Sequence, residues 1–354
     1  MARDLAAIWI YFADTACRDY SPLYDRISRA VAASDAMLDF LQEAPPTGHQ
    51  PIALLAAVHY LLLADQRHPL AAVYAGGSDA DPAPLFIEHC LAHRDEVLEL
   101  LATRNVNTNE VGRSALLGPA LATVGARCGA PLALVDVGCS AGLSLSCDRY
   151  LLDYGAAGVT GPADAQVRLS CAVVNGSPPI AAHLPPITAR IGIDRSPVDV
   201  TDDDAVRWLL ACMWPDTGRL ERTRLALEEL RQSPPRVVAG DAADAVGSVV
   251  ATLPSDAFAV VMTTWMLMYL SVDERAAFRD ALVEASRTRP LAWISGEIGR
   301  VVDLFADARP PRDDQGLEAS ILGLAVFRDG LLSDSDLLAF VHPHGNWIDW
   351  RSTR

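Results

Sequence analysis

The stretch LALVDVGCSAGLSLSCDRY, residues 132–150, decides the fold, because its letters support two different enzymes. Gly138-Cys139-Ser140-Ala141-Gly142 spells the Gly-x-Ser-x-Gly pattern of a nucleophile elbow, in which Ser140 would attack. Asp136 extends the same letters to Asp-x-Gly-x-Ser-x-Gly, a strand end and turn that would hold a nucleotide-like cofactor. An elbow serine follows a strand deep in a sheet already built, with an acid and a histidine later in the chain. Asp303 or Asp313 and then His342 or His344 stand in that order. The residues before the loop read as helical, however, which makes Leu132–Val137 the first strand of its sheet. That is the wrong place for an elbow.

The cofactor reading accounts for more of the letters. Asp136 closes the strand, and Gly138, Ser140 and Gly142 let the backbone approach a ligand. A helix from Leu143 to Leu152 would then aim its first N–H groups at that ligand. The dinucleotide fingerprint G-x-G-x-x-G fails, since Ser140 holds its middle glycine position and Leu143 its third. What remains is the loop style used for S-adenosylmethionine. Two later strand ends fit it: Asp194, suited to accept both ribose hydroxyls, and Asp241, followed by Ala242, placed to meet an adenine amino group. Asp194 lies 52 residues after Gly142, and an insertion between them explains the long spacing.

Periodicity sets the rest of the architecture. From Leu5 to about Ala126 apolar residues recur at three- and four-residue steps, as in Ile27, Val31, Met37, Leu38 and Leu41, with breaks at Pro45-Pro46-Thr47-Gly48 and Gly76-Gly77-Ser78-Asp79. After Pro131 short apolar runs alternate with amphipathic stretches. Strands are expected at 132–137, 190–193, 236–239, 258–262 and 291–294, with helices at 203–213 and 216–232. This predicts an α/β chain: a helical N-terminal domain over 1–128, acting as a lid, and a doubly wound, mostly parallel Rossmann-like sheet domain over 129–354. Residues 155–188, with the apolar run Val167–Val174 and then Asn175-Gly176, read as a hairpin insertion, and 324–350 supplies two more strands.

Composition narrows the partners. The chain has 354 residues, 51% of them hydrophobic, enough for one large or two ordinary cores. No apolar run reaches the roughly 20 residues of a membrane span, and the N-terminus reads as a helix rather than a signal, so a cytoplasmic location is expected. A net charge of −16 disfavours a nucleic-acid partner. The seven cysteines contain no C-x-x-C pair, which argues against a disulfide framework or a zinc site of that type. All 29 basic residues are arginine. The absence of lysine rules out a pyridoxal Schiff base and a P-loop lysine.

With these residues in view, the chain resembles an uncharacterised, mainly actinobacterial family of methyltransferase-like proteins, over nearly its full length. The stretches that carry the resemblance are SPLY (21–24), HYLLL (59–63), HPLAA (68–72), TNEVGR (108–113), VDVGCSAGLSLSCDRY (135–150), GIDRSPVDVTD (192–202), WP (214–215), PPRVVAGDA (234–242) and HPHG-W (342–347). The resemblance implies a class I S-adenosylmethionine methyltransferase-type fold behind the helical domain. Thr263 stands where relatives often carry a histidine and Ser196 where they carry an asparagine, so a family-type histidine base has no counterpart here.

Further candidates lie outside the loop. Asn109, Glu110 and Arg113 of TNEVGR sit just upstream of the first strand; Asn109 would contact substrate, Glu110 would serve as a general base and Arg113 would anchor an anionic group. A helix cap with a structural ion pair is the plain alternative. Trp265 and Tyr269 would shape a pocket for a cation or be the buried face of a helix. Glu297 ends the fifth strand, as a second base or a helix N-terminal acid. His344 of His342-Pro343-His344-Gly345 would bind substrate, against a proline-fixed turn. His89 and His93 have metal-ligand spacing, but no third ligand is evident and a surface helix pair is the commoner outcome; no metal is expected.

The functional expectation is a methyltransferase that transfers a methyl group from S-adenosylmethionine to a small molecule, with a place in secondary metabolism such as antibiotic biosynthesis. Two alternatives keep the fold. One is acid–base chemistry without methylation, such as an intramolecular displacement that closes a ring, for example an aziridine. The other is a non-catalytic partner subunit in a homo- or hetero-oligomer.

Overall fold

Apolar runs that continue without alternation mark strands covered on both faces, and LALVDV is buried at all six of its positions. The computed structural model describes residues 2–107, 109–312 and 318–353. In chain order its strands are β1 (Leu132–Val137), β2 (Leu151–Asp153), β3 (Val159–Thr160), β4 (Arg168–Ser170), β5 (Ala172–Asn175) and β6 (Ile187–Asp194). They continue with β7 (Arg236–Ala239), β8 (Phe258–Thr264), β9 (Leu291–Ile298), β10 (Ser320–Arg328), β11 (Leu331–Val341) and β12 (Trp347–Trp350).

Nine of these strands form one sheet in the order β5-β12-β11-β10-β9-β8-β1-β6-β7. β7, β6, β1, β8 and β9 run parallel, whereas β9, β10, β11 and β12 form an antiparallel meander. From β1 the chain winds outward through β6 to β7, then returns to β8 on the other side of β1. That reversal puts the topological switch point at the carboxyl ends of β1 and β8, where doubly wound sheets bind ligands. Ala133, Val135 and Val137 face a core shared with Val246 and Val250 of the helix Ala242–Ala251 and Phe278 and Leu282 of the helix Val272–Ala285. The intervening Leu132, Leu134 and Asp136 therefore face the opposite side. The α/β organisation with a large, mostly parallel sheet agrees with the expectation from sequence.

The chain divides into two compact units, one of 1–108 with 199–224 and one of 109–198 with 225–354. In the first, proline opens four helices at their first position, Pro22–Ala33, Pro51–Ala64, Pro69–Tyr74 and Pro82–Ala92, where its missing N–H costs no bond. Trp214 packs against Phe12, Tyr20 and Tyr24 with ring centroids 5.3–5.7 Å apart. The hydroxyl of Ser21 donates to Asp216 at 2.7 Å, so the 199–224 segment is built into this unit. The second unit contains the sheet and the helix Ser114–Cys128.

Three local expectations need correction. The segment after the loop is a run of 3-10 turns, Leu143–Arg149, not a helix to Leu152. Ser146 leaves helical geometry there, and the Tyr150 hydroxyl and Arg190 Nε donate to the carbonyls of Leu143 and Leu145, both at 2.9 Å. The 155–188 insertion is not a hairpin of the Val167–Val174 run. β2 pairs antiparallel with β3 and parallel with β4, while β5 leaves that small sheet to extend the large one beside β12. Gly176 does turn, at φ +74, but directly against the carbonyl of Trp350, where any Cβ would collide. The tail supplies three strands rather than two, because the meander adds one more ladder.

Candidate functional site

The loop after β1 turns tightly. Gly138, Ser140 and Gly142 have φ of +76, +54 and +85, so three successive alternate residues adopt the left-handed region, one of them without glycine's freedom. Gly138 N–H donates to Ile193 O at 2.8 Å and Gly142 N–H to Cys139 O at 2.7 Å, which pins the loop to the end of β6 and to itself. Asn109 closes it from above, donating through Nδ2 to the Cys139 carbonyl. A Cβ on Gly138 would collide with the Met266 side chain, so the outer face of this turn is already covered.

The acids assigned to an adenosine have partners within the protein. Asp194 accepts the Ser140 N–H at 2.7 Å through one carboxylate oxygen and the Ser196 N–H at 2.8 Å through the other. Asp241 caps the helix Ala242–Ala251 by accepting the Ala243 N–H, and its other oxygen takes Arg195 Nε at 2.9 Å and Nη2 at 2.5 Å. Arg195 also reaches Glu274 at 2.7 Å. Ala242 is buried in the core beneath the helix. In this arrangement both acids are engaged within the protein, the loop amide of Ser140 donates to Asp194, and 3-10 turns rather than an α-helix follow the loop.

Asp136 differs from them. It is buried at 3% exposure, and desolvation, reinforced by the charge of Asp194 and opposed by that of Arg113, pushes its carboxyl up to about 7. Around Arg113 the fold gathers segments far apart in sequence. The guanidinium donates from Nε to Pro343 O at 3.0 Å and from Nη1 to Thr264 O at 3.1 Å, and lies 5.2 Å from the Trp265 ring centroid. Glu110, buried, caps the 3-10 turn Val111–Arg113 by accepting the Gly112 N–H at 2.9 Å, and its second oxygen lies 3.7 Å from His344 Nδ1. The His342–Gly345 turn presses on this segment so closely that a Cβ on Gly345 would collide with the Gly112 carbonyl. His344 is therefore part of a proline-fixed turn and part of the cluster at once.

Trp265 adopts φ +56 and donates its indole N–H to Ser320 Oγ at 2.7 Å, which holds the ring under Arg113. Arg113, Trp265 and Ser320, with Leu116, Leu117 and Leu322, line a small pocket that is partly open to solvent. Tyr269 is not in it: at 71% exposure it stands on the surface, because the chain makes only a 3-10 turn, Leu267–Tyr269, and turns the ring outward. Neither the pocket wall nor the buried helical face expected for it is found. Glu297 is fully buried, but its Oε1 accepts the Met266 and Leu267 N–H groups at 3.1 and 3.3 Å, anchoring that turn as a terminal acid does. Burial nonetheless raises its carboxyl to about 7, against the pull of those two N–H groups and Arg113. Thr263 accepts the Trp293 indole N–H at 3.1 Å and is fully buried.

Among the described residues no hydrolase triad assembles around Ser140. Asp303 is exposed and paired with Arg279 at 3.3 Å, and Asp313 lies outside the described residues. The residues that sequence reasoning missed are Ser320 and Arg195, together with the carbonyls of Thr264 and Pro343. Only Arg195, next to Asp194, carried any signal, as a cation between two acidic strand ends. Among the described residues no helix is long and apolar enough to cross a membrane. A family model described as an uncharacterised protein conserved in bacteria (DUF2332) matches residues 7–350. No curated protein matches the chain.

Proposed function

The chain belongs to this bacterial family, and from that premise we propose that it is a small-molecule enzyme working by acid–base chemistry at the carboxyl ends of β1 and β8. The observation that carries this reading is Asp136, a buried carboxyl at a strand end with its pKa brought to about 7 and with Arg113 as the opposing charge. A group that exchanges its proton near neutrality is suited to remove or return one in a reaction. Glu110, close to the partly exposed His344, is the second acid–base group. Arg113, held by two carbonyls and the Trp265 ring, is a fixed cation against which an anionic group of the substrate or a leaving group can be stabilised. Such a set supports proton removal from an amine or hydroxyl coupled to displacement of an anion.

The finer fold assignment is part of the proposal. Numbering only the strands of the winding half, β7-β6-β1-β8-β9-β10 reads 3-2-1-4-5-6, the order of doubly wound nucleotide-binding sheets, with the sixth strand reversed. This supports a class I methyltransferase-type ancestry. Methyl transfer from S-adenosylmethionine is the second reading, favoured by the three positive φ values that let the loop after β1 approach a ligand. The engagement of Asp194 and Asp241 and the packing of Met266 on Gly138 weigh against it.

Calorimetry of the full chain with S-adenosylmethionine and with its demethylated product separates the two. Absence of heat at millimolar ligand supports cofactor-free chemistry; tight binding of both transfers the function to the second reading. Untargeted mass spectrometry of a bacterial metabolite extract incubated with wild type or with Asp136→Asn then tests the enzyme itself. A metabolite consumed by wild type alone is expected, and equal consumption by the variant rejects Asp136 as an acid–base group.

A further inference from the structure

Just after β8, Trp265 puts a large side chain on a backbone conformation that only glycine adopts without strain, φ +56. Main-chain contacts hold the turn there. The Trp265 N–H donates to Gly296 O at 2.9 Å, and the next two N–H groups donate to Glu297 Oε1. They fix the path of the chain but not the direction of the indole ring, which is set by the 2.7 Å bond from the indole N–H to Ser320 Oγ. Ser320 is 1% exposed and stands in β10 with ladders on both sides, opposite Ile298 of β9 and Val341 of β11. Its hydroxyl is therefore a fixed point. Glycine at 265 would make the same turn without strain and bring no ring.

We propose that Ser320 is a positioning residue for the acid–base site, acting through the Trp265 indole on the Arg113 guanidinium. The inference rests on the reading of Arg113 as the cation that stabilises an anion in the reaction. Pro343 O and Thr264 O accept from Arg113 Nε and Nη1, and these bonds hold two N–H groups of a flat ion. An ion held in this way can still tilt about the line between its two acceptors. The Trp265 ring, with its centroid 5.2 Å from the guanidinium carbon, supports one face and opposes that tilt. A charged group lowers a barrier most when it is already oriented where the opposite charge develops. Ser320 also lines the pocket, but its oxygen is engaged by the indole, so its effect falls on the orientation of Arg113.

The test compares Ser320→Ala, Trp265→Phe and their combination in the full chain, carrying isotope-labelled arginine for nuclear magnetic resonance. Each single variant removes one end of the indole–hydroxyl bond. The Arg113 Nε–H resonance is identified by its loss in Arg113→Gln. It is expected to lie upfield in wild type, under the ring current of Trp265, and to move downfield in Ser320→Ala with circular dichroism unchanged. On a metabolite that wild type consumes, kcat is expected to fall roughly three- to thirtyfold in Ser320→Ala with KM nearly unchanged, the loss that a contact of cation–ring size implies. In the Trp265→Phe background the same change is expected to add nothing. If Ser320→Ala does not fold, Ser320→Cys, of similar size and with a weak acceptor, takes its place. An unmoved Arg113 resonance in the folded variant overturns the proposal. So does a further loss of kcat in the double variant, which would mean that the Ser320 hydroxyl meets the substrate itself. If wild type consumes no metabolite, the acid–base reading of the site fails, and the resonance still decides whether Ser320 positions Arg113.

Discussion

Ser140 holds φ at +54 in a loop whose other turning residues are glycines, and its buried hydroxyl has no hydrogen bond. Its backbone N–H, not its side chain, makes the contact that matters, with Asp194. Ser140→Gly relieves the left-handed strain and removes an unsatisfied hydroxyl, so the melting temperature is expected to stay level or rise by about 2–4 °C, for a gain of roughly 1 kcal/mol. A fall of that size would mean that the hydroxyl has a partner of its own. Glu297 yields a prediction in pH. Its carboxyl rises from 4.5 to about 7 on folding, so the native chain holds a proton that the unfolded chain releases. Its contribution is complete below about 4.5 and is lost progressively as pH rises to about 7, amounting to a few kcal/mol at most. Glu297→Gln keeps an acceptor for Met266 and Leu267 and cannot ionise. Its melting temperature relative to wild type is expected to be higher at pH 8 than at pH 4.5, and a pH-independent difference would contradict the burial argument.

At the scale of elements, the site depends on how turns press together. The His342–Gly345 turn meets the Asn109–Arg113 segment through a glycine at φ +82, with no room for a methyl group against the Gly112 carbonyl. Gly345→Ala is expected to cost about 2–4 kcal/mol in denaturant unfolding, since it combines backbone strain with a clash against main chain. It should also move His344 away from Glu110 and abolish turnover of whatever substrate the wild type consumes. Unfolding within about 0.5 kcal/mol of wild type would show that the turn has freedom to shift. Element boundaries were legible where apolar runs are long: β1 and β7 fall where the pattern puts them, and β6, β8 and β9 extend the expected runs by a few residues. The short strands at 151–175 were not, because two- to four-residue ladders lack a period to read, and their partners come from other parts of the chain.

For the whole molecule, the segment 199–224 belongs with the helices although it lies between strands β6 and β7. Trp214 is its anchor, against three aromatic rings. Trp214→Ala is expected to destabilise the helical unit by about 3–5 kcal/mol. If the two units unfold separately, the first thermal transition should move and the second should not; a single transition that moves as one would show them to be coupled. No local property of the sequence announces such a grouping, since contiguous chain is the only organisation that periodicity can report.

The sequence by itself determined where the backbone could be extended and buried, where it had to turn, and which charged groups stand at strand ends. Those are properties of neighbouring residues: continuous apolar runs, glycines at fixed spacing, an aspartate closing a strand. Only the tertiary structure decided what the charges meet. Asp194 and Asp241 read in sequence only as acids at strand ends; in the fold Asp194 meets the Ser140 and Ser196 amides and Asp241 meets Arg195. Asp136 and Glu297 became proton-holding groups through burial. A carboxylate or imidazole is chemically defined by the nearest donor and by the depth of water removed from it, and both are set by distances in space rather than along the chain.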